Sequence, residues 1–188
     1  MRINFGVKNA MYPQPALIVS AYDSEGKANA MYIAWGGLSN GGEITMAVSP
    51  RHKTSKNLLE KGEFVINVGT AEYAKECDYL GIASGNDVPD KLEKAGFHTI
   101  KADHVDAPII TELPIAIECR VKSYKTEENR LVAEIVNVSI DESVLKSTDD
   151  WALDMTKFHP LTFDETNREY YTLGACLGPA WTIGREIE

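Results

Sequence analysis

Ile115-Ala116-Ile117-Glu118-Cys119-Arg120-Val121-Lys122-Ser123-Tyr124 and Arg130-Leu131-Val132-Ala133-Glu134-Ile135-Val136-Asn137-Val138-Ser139-Ile140 both alternate apolar with polar residues. A period of two sends successive side chains to opposite faces of a pleated strand, so both stretches read as half-buried antiparallel strands. Thr126-Glu127-Glu128-Asn129 between them is a natural hairpin connection. Upstream, residues 16–22 form an apolar strand that runs into the polar turn Asp23-Ser24-Glu25-Gly26-Lys27. Residues 29–38 read as one further strand, Ser39-Asn40-Gly41-Gly42 as a hairpin turn and residues 43–49 as the returning strand. Residues 63–69 make a short buried strand. Helix signals are brief: residues 54–61 closed by Gly62, residues 71–80, and residues 89–95 stopped by Gly96. Ser84-Gly85-Asn86-Asp87 is a loop, and residues 142–168, weakly patterned, are expected to mix a short helix with loop. The sum is a mainly β domain with a few short helices, closed or partly closed into a barrel that limits exposed edges.

With 188 residues, 44% of them hydrophobic and 25% charged, the chain suits one domain over residues 1–188. A net charge of −9 without a long basic face argues against nucleic acid and anionic membranes as partners. The opening octapeptide lacks the apolar core of a signal peptide, and no apolar run approaches the roughly 20 residues that span a bilayer. A cytoplasmic location is the expectation. Cys77, Cys119 and Cys176 are odd in number and scattered, and the four histidines show no metal-ligand spacing. Neither a disulfide framework nor a metal centre is expected.

On this acidic background, Ser49-Pro50-Arg51-His52-Lys53-Thr54-Ser55-Lys56-Asn57-Leu58-Leu59 gathers cations and hydroxyls where a strand passes into a helix. Free N–H groups of a first helical turn, the helix dipole and nearby Arg or Lys together make an anion site, suited to a phosphate. Thr54 and Asn57, three apart, share a helical face. The plainer alternative is a capped surface helix with solvated cations. Ala34-Trp35-Gly36-Gly37 sets two glycines beside a Trp, which suggests close approach of something flat, or else a buried core Trp with glycines relieving crowding. Asn67 interrupts an apolar strand and needs partners, either local backbone or a ligand. No dinucleotide fingerprint, P-loop or nucleophile elbow occurs, and no paired His makes Cys77 a nucleophile.

In order and spacing these pieces resemble the flavin reductase-like, FMN-binding split-barrel family, and within it the flavoredoxin branch, over nearly the whole length. The resemblance is carried by Tyr12-Pro13-Gln14-Pro15, by Asn29 through Ala34-Trp35-Gly36-Gly37, and by Arg51-x-x-Thr54-x-x-Asn57 with Phe64-Val65-Ile66-Asn67. Asp78-Tyr79-x-Gly81-Ile82-x-Ser84-Gly85 with Asp90-Lys91, Asp106-Ala107-Pro108, Glu118-Cys119, Tyr170-Tyr171-x-Leu173-Gly174 and Ile183-Gly184 continue it. It implies a Greek-key antiparallel split barrel that forms a homodimer, with FMN near the subunit interface. By position, Ala34, Trp35 and Gly36 would line the isoalloxazine, while Ser49, Pro50, Arg51, Lys53, Thr54 and Asn57 would hold the ribityl phosphate. Asn67 would sit close to the ring or ribityl chain, Ser84 and Lys91 in a loop approaching the flavin, and Tyr171 in a C-terminal cover. The implied activity is hydride transfer from NAD(P)H to flavin N5, with electrons passed on to a flavin or a redox protein, and no side chain acting as catalytic acid or base. A non-enzymatic FMN electron carrier and a cofactor-free interaction domain are the competing classes.

Overall fold

The computed structural model describes residues 1–187. In chain order its elements are β1 (Gln14–Pro15), β2 (Leu17–Tyr22), β3 (Ala28–Ile33), β4 (Gly36–Asn40), β5 (Glu43–Ala47), α1 (Lys53–Lys61), β6 (Glu63–Val68), α2 (Ala74–Ile82), α3 (Lys91–Lys94), β7 (Thr99–Lys101), β8 (Pro108–Ile110), β9 (Ile115–Lys125), β10 (Arg130–Ile140), β11 (Leu145–Ser147), β12 (Asp150–Leu153), β13 (Thr162–Asp164) and β14 (Glu169–Tyr171). Seven strands form one antiparallel sheet in the order β3-β2-β6-β9-β10-β5-β4. β3 and β4 thus lie at opposite edges, although only Ala34 and Trp35 separate them in sequence. Three virtual bonds reach about 11 Å at most. The sheet therefore has to curl until its two edges meet, and the result is a split barrel.

Gly36 shows how tight the closure is. A Cβ there would stand 2.7 Å from Met46 Cγ on β5 and 3.1 Å from Leu17 Cδ1 on β2, a strand from the far side of the sheet order. Two register shifts in the β9–β10 ladder, between Val132 and Ala133 and between Ile135 and Asn137, supply local bending and twist.

The inner face carries the alternation of the sequence. Leu17, Val19, Met31, Ile33, Ile44, Met46, Phe64, Ile66, Cys119, Leu131 and Ala133 pack into one cluster with Leu58 of α1. The wall of β2 and β3 also has an apolar outer face. Ala16, Ile18 and Ala30 pack there against Cys77 and Leu80 of α2, Leu92 of α3, Phe97 and Ile110. Burial on both faces explains why β2 is an unbroken apolar run with a single Ser. α1 ends where Gly62, at φ 73°, returns its N–H to Leu58 O at 2.9 Å, a left-handed position that glycine fills without strain.

Three expectations change. Residues 29–38 are not one strand: the chain leaves β3 at Ile33 and enters β4 at Gly36 on the other sheet edge. Residues 142–168 hold no α-helix. Asp141 Oδ1 accepts the Ser143 N–H (2.8 Å) and caps a single 3-10 turn, and β11, β12 and β13 follow, each too short to show a period. α3 is also confined to four residues of the expected 89–95 helix.

Leu58 is fully buried at the point where α1 meets the barrel interior. Leu58→Ala is expected to lower the unfolding free energy by about 2–5 kcal/mol, measured by urea denaturation, because it leaves a cavity in a core that can collapse little.

Candidate functional site

The outer face of β3 and the start of α1 frame a groove. At one end a cavity of about 210 Å³ is lined by Met31 and Tyr32 of β3, His52, Lys53 and Thr54, and by residues 80–85 with Lys91. At the other, a depression of about 510 Å³ is lined by Ala34, Trp35, Asp78, Phe163, Glu165, Arg168 and Tyr170. Both are lined by Tyr32 and Gly81, so they adjoin. The corner of residues 49–54 and the β3–β4 link lie at the two ends of this groove.

At the corner, His52 takes the N-cap position with extended dihedrals, and no described side chain caps the first turn of α1. That turn contains no acidic residue either. Its backbone donors and positive dipole end face the cavity together with Lys53. Ser49 Oγ accepts the Arg51 N–H at 3.5 Å and shapes the approach, with Pro50 half-buried between them. Thr54 is buried, and its hydroxyl donates to Asn29 Oδ1 at 2.8 Å. Its only proton is thus spent on β3, and what Thr54 offers a ligand is its backbone N–H. Asn57 does not line the cavity; it is buried, and its Nδ2 has no hydrogen-bond partner among the described residues.

The loop after α2 is tied to this corner through Asn86 and Gly85, and to its own helix end through Lys91. Asn86 Nδ2 donates to Arg51 O (3.2 Å) and to Ser84 Oγ (3.4 Å). Gly85 lies so close to Asn29 that a Cβ would stand 2.6 Å from its amide atoms. Lys91, only 2% exposed, donates from Nζ to Leu80 O (2.9 Å) and Ala83 O (2.8 Å). Its ammonium closes the carbonyl end of α2, where a cation is favoured, while burial pushes its pKa down to about 8. Ser84, exposed at the rim, completes this wall.

At the ring-sized end, Trp35 is 52% exposed, and its Nε1 donates to Glu165 Oε2 at 3.2 Å. The alternative of a core Trp is therefore excluded, and Ala34 is the buried member of the link. Tyr32, Phe163 and Tyr170 form an aromatic wall with ring centroids 5.7–6.5 Å apart. Tyr170 Oη donates to Asp78 Oδ1 at 2.7 Å, and burial together with that carboxylate pushes its phenol up. The Tyr32 hydroxyl is buried without a hydrogen-bond partner among the described residues. An orphaned hydroxyl on the wall shared by both cavities fits a ligand that carries a polar group there.

Of the sequence-derived residues, Gly36, Ser49, Pro50, Arg51 and Asn57 line neither cavity, and Asn67 and Tyr171 are engaged elsewhere. Asn67 donates to Ile18 O (3.1 Å) and Ser20 Oγ (3.0 Å) and accepts the Ile110 N–H (2.9 Å), all in the interior. It knits β2 and β6 to β8, with no donor left for a ligand. Tyr171 is exposed on the opposite face of β14, bonded to Glu169; its neighbour Tyr170 faces the groove instead. Groove-lining residues that the sequence did not assign include Tyr32, His52, Asp78, Phe163, Glu165, Arg168 and Tyr170, and Asn29 supports the corner from β3. Asn29, a polar residue in an apolar strand, carried a readable signal. Phe163, Glu165 and Arg168 come from the weakly patterned segment and carried none.

A model of the flavin reductase-like domain matches residues 9–173. The chain belongs to that family. Among solved structures it is similar to flavoredoxin of Desulfovibrio vulgaris (Miyazaki F), at 32% identity and TM-score 0.91, covering 98% of this chain and 100% of that one. It is also similar to flavoredoxin from Methanosarcina acetivorans, at 26% identity and TM-score 0.84, covering 100% of this chain and 98% of that one. An FMN-binding domain of a flavin reductases-like enzyme from Shewanella baltica shares the fold at 20% identity and TM-score 0.78, covering 88% and 89% of the two chains. A curated relative from Aeropyrum pernix is matched over 43% of its length, 25% identical across 114 residues. No helix among the described residues is long and apolar enough to cross a membrane.

Lys91 gives this site a pH signature. With its pKa near 8 when folded and about 10.4 when unfolded, the unfolded chain binds more protons between those values, so this group makes stability rise as pH rises through that window. Urea melts of wild type and Lys91→Met from pH 7 to 10.5 are expected to show their difference shifting in favour of wild type, by up to about 3 kcal/mol.

Proposed function

We propose that the chain binds FMN along this groove, its phosphate at the start of α1 and its ring beside Trp35, and acts as a flavin-dependent oxidoreductase. One observation carries the reading: an uncapped, cationic helix start whose cavity adjoins an aromatic-lined depression at Tyr32 and Gly81. Arg51, Lys53 and the first-turn N–H groups hold the phosphate by charge-assisted hydrogen bonds. Ser49 and Pro50 shape that turn, and Lys91 holds Ser84 and Gly85 against it. Ala34, Trp35, Gly36 and Phe163 frame the ring.

When bound, FMN supplies the group that takes a hydride from NAD(P)H and passes electrons to a flavin or protein acceptor. The chain's own residues bind and orient. Arg168, a non-glycine residue at φ 58°, sets a cation at the ring end, where negative charge is stabilised on reduction. The exposure of Trp35 leaves that end open to an electron donor.

Similarity to two flavoredoxins favours a second reading, a non-enzymatic FMN electron carrier. Anaerobic rapid mixing of the FMN-loaded protein with NADH and NADPH separates the two. Bleaching of the flavin band at millimolar nucleotide is the expected result, and a band that stays unbleached leaves the carrier. Replacing Arg51 and Lys53 together by Ala is expected to weaken FMN at least about tenfold and riboflavin less than about threefold, since riboflavin lacks the phosphate. Equal weakening of both would place the phosphate elsewhere.

The reading includes a homodimer with the cofactor near its interface. Residues 1–13 and 171–185 are exposed throughout, with Phe5, Leu173, Leu177 and Trp181 presenting large apolar surfaces. The first of these segments reaches the ring end, where Asn9 Nδ2 donates to Glu165 Oε1 at 3.1 Å. A second copy would cover this surface. Sedimentation velocity is expected to show a dimer, and truncation after residue 171 a monomer with weakened FMN binding.

A further inference from the structure

The groove does not end at the phosphate corner. A further cavity of about 420 Å³, lined by Asp23, Glu25, Lys27, Asn86 and Pro89 among others, adjoins it and shares Lys53 and Gly85 with it. At the junction the Lys53 ammonium stands 3.3 Å from Asp23 Oδ2. Asp23 is not free to swing aside. Its Oδ1 accepts the N–H groups of Glu25 (3.0 Å) and Lys27 (2.9 Å), and only 13% of its side chain is exposed. Burial alone would raise its carboxyl, but the Lys27 N–H, the Lys53 ammonium and the Glu25 N–H hold it below the ordinary value. A fixed negative charge therefore stands just past the corner at neutral pH, tied to the corner's own cation.

A ligand that ends in a phosphate monoester stops before this ion pair. A ligand whose phosphate continues into a second phosphate and an adenosine has to part Lys53 from Asp23 and pass a carboxylate that cannot retreat. We propose that Asp23 is a specificity-determining residue that selects mononucleotide over dinucleotide flavin, FMN over FAD, by barring the passage between the two cavities. This rests on the FMN reading above. Neither the turn that fixes Asp23 nor the second cavity is needed to hold FMN itself.

The test is a flavin-fluorescence titration of the full chain with FMN, FAD and riboflavin. Asp23→Asn keeps an oxygen to accept the two turn N–H groups and removes only the charge. It is expected to raise the ratio of FAD to FMN affinity at least about fivefold, with riboflavin unchanged. Asp23→Ser, which keeps a smaller acceptor, is expected to move the ratio in the same direction. Glu60→Gln, on an exposed side chain that lines none of these cavities, is the control and is expected to leave it within about twofold. An unchanged ratio in both Asp23 variants, or an equal rise in Glu60→Gln, overturns the proposal. A wild-type chain that takes up no flavin at all overturns the cofactor reading, and this inference falls with it.

Discussion

Ile33 and Gly36 lie on strands at opposite edges of a seven-stranded sheet, and only Ala34 and Trp35 join them. That short link forces closure, and closure dictates what each of its residues can be. Ala34 is small and buried at the edge of the groove. Gly36 meets Met46 and Leu17 at a separation that excludes a Cβ. Trp35 has no room inside and is thrown outward, where it is held by Glu165 rather than by the core. The aromatic platform of the groove is thus a by-product of joining the sheet to itself.

The other end of the groove depends on polar latches instead of packing. Asn29 on β3 takes the Thr54 hydroxyl, Asn86 reaches Arg51, and Lys91 ties the loop after α2 to its own helix end. Each latch spans separate elements, so the corner keeps its shape only while β3, α1 and that loop stay in register. Burying these groups is tolerable because nearly all are paired. The two exceptions among the described residues are the Tyr32 hydroxyl, on the wall of the groove, and the Asn57 amide, which does not line it. Thr54 illustrates the division of labour: its side chain serves the scaffold and its backbone serves the site.

The strands of the barrel wall were legible because burial is patterned: one buried face stamps a period of two on β9 and β10, and burial on both faces gives β2 its apolar run. The corner at residues 49–54 was legible for a different reason: cations and hydroxyls gathered on an acidic chain need a local explanation. The β3–β4 break was not legible. Nothing in Ala34-Trp35 distinguishes a strand that continues from one that crosses to the far edge, since both conformations are extended. Asn67 misled because a buried amide looks the same in sequence whether its partners are a ligand or Ile18, Ser20 and Ile110. Phe163, Glu165 and Arg168 could not be placed, because three-residue strands carry no period and their position depends on a pairing with β1.

Charge bears on how an anion could be held at all. With a net charge of −9 the protein as a whole repels a phosphate dianion. Beyond a Debye length of about 8 Å at physiological salt that repulsion is largely screened, so capture falls to groups within the corner itself. Side-chain cations there add to the hold, although Lys53 is already paired with Asp23. The N–H groups at the start of α1 differ: they are fixed by the helix, partly withdrawn from water and aimed in one direction. An acidic chain that binds a phosphorylated ligand at this corner therefore relies on backbone geometry first and side-chain charge second, which is why the absence of an acidic residue in the first turn of α1 matters more than the number of lysines around it.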